Sequence, residues 1–512
     1  MDPAPLDRQR DADYIEGVSP TKKVPYSCSF VEFDEHGDYL KFQQHLDALA
    51  AIRSIQDADR TTPMLVVIYC HGWKNNADSD DVVRFNLFLS HLAENIPLVQ
   101  KDPAKPMLRV HGVYIAWRGS SFPSYLDTGS PDYRSMLNQF GGQPIVNTHY
   151  TRSWEWTAWV PEQLSYWNRK SAAEYEVSGV PMARTIFECA YIAKRFDSMA
   201  KESKGDEDDR GLERVKSRVL LIGHSFGALM LEKSIGQACL GLTIAQWNLD
   251  KQTSYGTAEA DPVLKLPFDF ILFVNSAAPS LHTKLLSDLL WAHQVHMNAD
   301  PNAATAPTII SVTSEGDWAT GHMHRVANAF TFLQPSFQYQ YRDGIFPDPK
   351  PGEEPPPEVQ QSYYYERTPG NNPLLVEYWV EPMKDRTMTN TLYGGGTSQA
   401  LSFSNWKWPN DPTAFFIGNK KDPTVPPAPW EIRPATDADN SWREYKGHVP
   451  QPKGAYWIVR CNADLISGHS DVWTDDAMEL YIGLLRLTEW MKEPLSIRRQ
   501  SPDAPPWLFH AR

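Results

Sequence analysis

The stretch that decides the fold is Val219-Leu220-Leu221-Ile222-Gly223-His224-Ser225-Phe226-Gly227-Ala228-Leu229-Met230-Leu231-Glu232-Lys233-Ser234-Ile235. Its first four residues are a short continuous apolar run, the pattern of a strand buried on both faces of a parallel sheet. From Ala228 onward the residues are good helix formers. Between the two lies Gly223-His224-Ser225-Phe226-Gly227, a serine with a glycine two positions away on either side. Strand, sharp turn and helix in this order form the geometry of a nucleophile elbow. A turn this tight strains the backbone of the apex residue, and the flanking glycines remove side chains where strand and helix nearly touch. The apex hydroxyl then projects beyond the sheet. The helix start supplies N–H groups and the positive end of its dipole to a developing oxyanion.

The strand nearest in kind is Met64-Leu65-Val66-Val67-Ile68-Tyr69-Cys70, which ends in His71-Gly72-Trp73-Lys74-Asn75-Asn76. An oxyanion is usually held by the N–H just after the nucleophile together with one from the loop after an earlier strand. That assigns the donors to the backbone N–H groups of Phe226 and Trp73. Gly72 lets the backbone approach closely, and His71 reads as a structural residue that orients the loop, not as a base.

Further strands are expected at Ser29–Phe33, Arg109–Gly119, Phe268–Asn275, Thr308–Thr313 and Tyr456–Cys461, with helices at Tyr39–Ile55, Asp80–Glu94, Val180–Met199, Thr283–Val295 and Asp475–Lys492. Strands alternating with helices point to an α/β fold, a mainly parallel sheet covered by helices on both faces. In such sheets functional groups collect past the carboxyl ends of the strands.

A serine hydroxyl needs a base to take its proton, and the base needs an acid to set its tautomer. The chain order in this fold is serine, acid, histidine. Ser225, Asp317 and His469 satisfy it, each just past an expected strand. Asp317 competes with Glu315 and Asp288, and it directly follows a strand in a loop that carries Gly316. His469 competes with His322, His324 and His448. The first two lie too close in sequence to Asp317 for the usual layout.

With these residues in place the chain resembles the α/β-hydrolase fold serine hydrolases, esterases and lipases among them. The carriers are Gly223-His224-Ser225-Phe226-Gly227, the His71-Gly72-Trp73 loop, and Asp317 and His469 in order. Together with Val113-Tyr114-Ile115-Ala116-Trp117-Arg118-Gly119 and Tyr166-Trp167-Asn168-Arg169-Lys170 they look like a little-characterised microbial group of esterase-like hydrolases. The resemblance covers roughly residues 25–330 and 455–492. It implies hydrolysis of an ester or thioester through an acyl-enzyme, with a small-molecule or lipid ester as substrate and no cofactor. A lipase or phospholipase working at membranes, exported without a leader, is an alternative. A non-catalytic hydrolase-like scaffold is another.

The rest of the 512 residues sets bounds. Apolar residues make up 41% and aromatic ones 12%, enough for a large core. A net charge of −14 offers no basic footprint, so nucleic acid is not an expected partner. The five cysteines, Cys28, Cys70, Cys189, Cys239 and Cys461, are scattered, which argues against a disulfide framework or a zinc site; Cys70 and Cys461 read as buried thiols. No metal site is expected. The polar N-terminus has no apolar leader region, and no run approaches the ~20 residues of a membrane span, so a cytoplasmic location and no integral membrane segment are expected. Residues 1–25 read as a flexible arm and 26–492 as one α/β-hydrolase domain. Within it, 120–179 reads as an aromatic cap-like insertion and 331–455 as an irregular insertion with a proline-rich start. Residues 493–512 read as a tail.

Overall fold

A computed structural model describes residues 13–19, 24–58, 64–73, 75, 80–95, 109–117, 119, 169–202, 217–253, 266–297, 307–324, 363–382, 430–434 and 456–485. The chain divides into two compact units. The first comprises Met1–Glu94, Pro106–Ser234 and Arg325–Leu333, and the second Asn95–Lys105, Ile235–His324 and Gln334–Arg512.

The first unit carries β1 (Tyr14–Val18), β2 (Pro25–Phe33), β3 (Met64–Cys70), β4 (Arg109–Trp117) and β5 (Arg218–His224), in the spatial order β1-β2-β4-β3-β5. β2 with β4, β4 with β3, and β3 with β5 pair in parallel; only β1 with β2 is antiparallel. All seven residues of β3 are buried, as are six of the seven in β5. A strand covered on both faces needs apolar residues at successive positions, which is why these two read as unbroken runs in the sequence. The helices α1 (Phe42–Ala58), α2 (Asp80–Asn95) and α3 (Val180–Glu202) belong to this unit. α1 packs on β2 and α3. Polar side chains tie that contact: the Tyr39 hydroxyl donates to the Pro181 carbonyl at 2.9 Å, and Gln56 Nε2 donates to the Ala193 carbonyl at 3.0 Å.

The second unit carries β6 (Phe270–Val274), β7 (Ile309–Ser314), β8 (Tyr378–Pro382), β9 (Trp430–Pro434) and β10 (Tyr456–Cys461), in the order β6-β7-β10-β8-β9. Again only the outer pair, β8 with β9, is antiparallel. The helix α4 (Phe226–Thr253) follows β5 in the chain, α5 (Ser280–Met297) follows β6, and α6 (Asp475–Leu485) follows β10. Mostly parallel strands alternating with helices make this an α/β arrangement.

The structure departs from the sequence reading in three places. Residues 14–18 lie in the stretch read as a flexible arm but form β1. Its side chains alternate between exposed and half-buried, the pattern of an edge strand with no apolar run to announce it. The 331–455 stretch, read as irregular, contains β8, β9 and a 3₁₀ turn at Pro369–Asn371. The elbow helix runs from Phe226 to Thr253, well beyond the apolar stretch that marked its start. Of the 120–179 segment, residues 120–168 lie outside the described residues; 169–179 lead through a helical turn at Ala173–Val177 into α3. The arm before residue 13 and the 493–512 tail also lie outside them.

All five cysteines are buried and none is in a disulfide. Among the described residues, no helix is long and apolar enough to cross a membrane, and no three His, Cys, Asp or Glu side chains are grouped to hold a metal ion.

Candidate active site

In the first unit β5 ends at His224, and the chain turns at once into α4. The residue at the turn is Ser225, with φ of 56°. This is the left-handed region, which costs a residue with a side chain roughly 1–2 kcal/mol. Only Ser225 and Asn275 adopt it among the described non-glycine residues. The strain is held by the first helical bond, from the Leu229 N–H to the Ser225 carbonyl at 3.2 Å, and by the packing of strand against helix.

That packing leaves no room for side chains. A Cβ on Gly227 would overlap the Cys70 carbonyl and lie 2.6 Å from the His71 carbonyl oxygen. The N-terminal turn of α4 therefore sits directly on the end of β3. A Cβ on Gly72 would lie 2.7 Å from the Ser225 Cβ and 3.0 Å from His224 Nδ1. The glycine before Trp73 thus brings the His71-Gly72-Trp73 backbone against the serine. Ser225, Phe226 and His71 are all buried.

His71 is committed to this loop. Its Nδ1–H donates to the Gly72 carbonyl at 2.8 Å, and its Nε2 accepts the Trp117 N–H at 3.1 Å. The Trp117 indole in turn donates to the His71 carbonyl at 3.0 Å. The ring lies nearly parallel to the Trp117 ring, 6.0 Å away. Burial pushes its pKa down to about 4, so it is neutral at pH 7, and both nitrogens already have partners. It orients the loop that carries Trp73.

In the second unit β7 ends at Ser314, and Asp317 follows three residues later, buried. It stands at the start of a helical turn at Ala319–Met323. Asp317 Oδ1 accepts the Thr320 N–H at 3.1 Å and the His469 Nδ1–H at 2.9 Å, while Oδ2 accepts the Thr320 hydroxyl. Burial pushes the Asp317 carboxyl up, but the His469 ring and the Thr320 bonds together outweigh it and hold the pKa below its ordinary value. An ionised Asp317 fixes the proton of neutral His469 on Nδ1. Nε2 is then the nitrogen with the lone pair, as a general base requires.

Behind Asp317 runs a polar chain with no mark in the sequence. Asn371 Nδ2 donates to the Thr320 hydroxyl at 3.1 Å, and the buried Arg460 on β10 donates to Asn371 Oδ1 at 2.9 Å and to the Gly370 carbonyl at 2.8 Å. Burial lowers the Arg460 pKa to about 10, with Glu315, Cys461 and Asp317 pulling the other way, so it stays charged at pH 7. Thr320, three residues after Asp317, was findable as a helix-capping spacing. Asn371 had no signal, because it lies in the stretch read as irregular.

The rival acids have other tasks. Glu315 Oε1 accepts the Ala463 N–H at 3.0 Å, and Asp288 is ion-paired with Lys284 one helical turn away. His324 is buried, and His448 lies outside the described residues. The structure thus brings Asp317 and His469 together in one unit. In the other it brings Ser225, Phe226, Gly72 and Trp73 to neighbouring strand ends.

No family model and no curated protein matches the chain. A crystal structure of an uncharacterized protein from Pseudomonas aeruginosa aligns with 56% of this chain and 41% of its own length, at 11% identity and a TM-score of 0.17. That likeness is too slight to bear on fold or function.

Proposed function

We propose that this protein is a serine hydrolase of carboxylic esters or thioesters that works through an acyl-enzyme. The observation that carries the reading is the 2.9 Å bond from His469 Nδ1 to Asp317, between side chains 152 residues apart, each past the carboxyl end of a parallel strand. A carboxylate that sets the tautomer of a histidine is the acid–base half of a triad. The left-handed Ser225 at a strand-to-helix turn is the nucleophile half.

In this reading Ser225 Oγ attacks the carbonyl carbon and His469 Nε2 takes its proton. The backbone N–H groups of Trp73 and Phe226 hold the oxyanion, together worth several kcal/mol in a buried site. His469 then gives the proton to the departing alcohol or thiol. Water, activated by the same imidazole, frees the acid from Ser225. Asp317 stays ionised throughout and stabilises the imidazolium. The α/β-hydrolase fold is the scaffold this chemistry implies, and the mostly parallel sheet supports it.

A fluorophosphonate probe tests the proposal. It should label the folded protein at Ser225, and Ser225→Ala should abolish labelling and lower ester turnover by several orders of magnitude. Acyl esters of graded length, offered in solution and in micelles, then separate a small-ester hydrolase from a lipase. A folded wild-type chain that takes no label would refute the proposal.

A further inference from the structure

Asn275 is the other left-handed residue with a side chain, at φ of 47°. It follows directly on β6 and is fully buried. Glycine takes up this backbone without strain, and asparagine tolerates it better than most. The position therefore uses the carboxamide and not the turn alone.

The carboxamide is occupied on both sides. Asn275 Oδ1 accepts the Ser314 N–H at 2.9 Å, at the end of the strand that leads to Asp317. Its Nδ2 donates to the Gly468 carbonyl at 3.1 Å and to the His469 carbonyl at 3.2 Å. The Asn275 N–H donates to the Val312 carbonyl at 2.8 Å, fixing the carboxamide's root to β7. One side chain thus joins the end of the acid's strand to the backbone of the histidine itself. The Ser314 hydroxyl adds a parallel tie, to the Ile466 carbonyl. The imidazole is half-buried within the loop between β10 and α6, and loop backbone alone does not hold a ring to the few tenths of an ångström that proton transfer needs.

We infer that Asn275 is a positioning residue: its carboxamide pins the His469 backbone to the end of β7, so that the imidazole keeps its bond to Asp317 and its Nε2 stays aimed for proton transfer. This deepens the hydrolase reading and rests on it.

Two substitutions test it. Asn275→Asp keeps the shape and the acceptor for the Ser314 N–H but sets an oxygen against two carbonyls. Asn275→Gly keeps the backbone without strain and removes all three side-chain bonds. Both are compared with wild type for the second-order rate of fluorophosphonate labelling at 25 °C, for Tm, and for the low-field NMR signal of the His469 Nδ1–H, assigned by its loss in His469→Gln. Thr185→Ala is the control. It removes buried hydroxyl bonds to His45 and Pro181 in the other unit.

Each Asn275 variant should label at least 10-fold and up to roughly 100-fold more slowly, with the low-field signal broadened or lost. Thr185→Ala should lower Tm and leave the labelling rate alone. If both Asn275 variants fold, label within about 3-fold of wild type and keep the signal, the inference is wrong, since 3-fold is far below the cost of a displaced catalytic group. If wild type takes no label, the hydrolase reading falls. The positioning role then stands or falls on whether the NMR signal is lost in the variants.

Discussion

Acidifying the protein from pH 7 to pH 4.5 should weaken the first unit through two buried histidines, His71 and His111. Burial pushes the pKa of each down to about 4, against 6.5 for the exposed side chain. The unfolded chain therefore binds a proton between these values where the folded chain does not. Each ring's contribution is complete above pH 6.5 and is lost as the pH falls toward 4. The gap is worth about 3 kcal/mol per histidine, lost at about 1.4 kcal/mol per pH unit.

The two should not behave alike. Protonated His71 would aim a second N–H at the Trp117 N–H, which is a donor and cannot turn. His111 faces the hydroxyls of Ser27, at 2.8 Å from Nδ1, and Ser29, at 3.3 Å from Nε2, which can rotate to accept. His111 should therefore take up its proton at the higher pH.

The assay is urea unfolding followed by tryptophan fluorescence at half-unit steps from pH 7 to 4.5, on wild type, His71→Asn and His111→Asn. Each substitution lowers absolute stability by removing bonds, so the slope with pH carries the argument. Each variant should lose about 1.4 kcal/mol per pH unit of slope between pH 5.5 and 4.5. Both slope changes begin near pH 6.5, and that of His111→Asn should fade at the higher pH, where the folded ring takes up its own proton. Slopes equal to wild type in both variants would refute the claim that these rings are held neutral.

Two further outcomes follow from the site. Asp317→Asn preserves shape but no longer dictates the Nδ1–H tautomer of His469, so turnover and labelling should fall by about four orders of magnitude in a protein that still folds. In wild type the lowered Asp317 pKa adds stability that is present above the ordinary carboxylate range and lost below pH 4, so the acid limb there should be shallower in Asp317→Asn. Gly72→Ala places a Cβ 2.7 Å from the Ser225 Cβ, so the loop must shift. We expect slower labelling of Ser225 and a loss of about 1–3 kcal/mol in unfolding free energy, measured together on the same sample; a wild-type labelling rate in a folded Gly72→Ala protein would count against the close approach.

What could be read without coordinates was whatever is written in neighbouring residues. The bounds of Met64–Cys70 emerge to the residue, because a strand buried on both faces is apolar at every step, and those of Tyr456–Cys461 emerge from a mostly apolar run. The elbow was legible for the same reason: strand, glycine, serine, glycine and helix lie within a dozen positions. β1 escaped notice because an edge strand with one half-buried face carries no such run, and β8 and β9 because turn signals surround them. In the sequence, Asp317 stood ahead of Glu315 and Asp288 only because it directly follows a strand in a loop that carries Gly316. Only the fold shows Glu315 spent on the Ala463 N–H, Asp288 on Lys284, and Asp317 on His469. The same holds for Asn275 clasping the histidine's backbone and for Arg460 backing the acid through Asn371 and Thr320. Burial is a property of one segment and leaves a local periodicity. A hydrogen bond between groups 152 or 194 residues apart is made by the packing of the sheet, and no residue near either end records its partner.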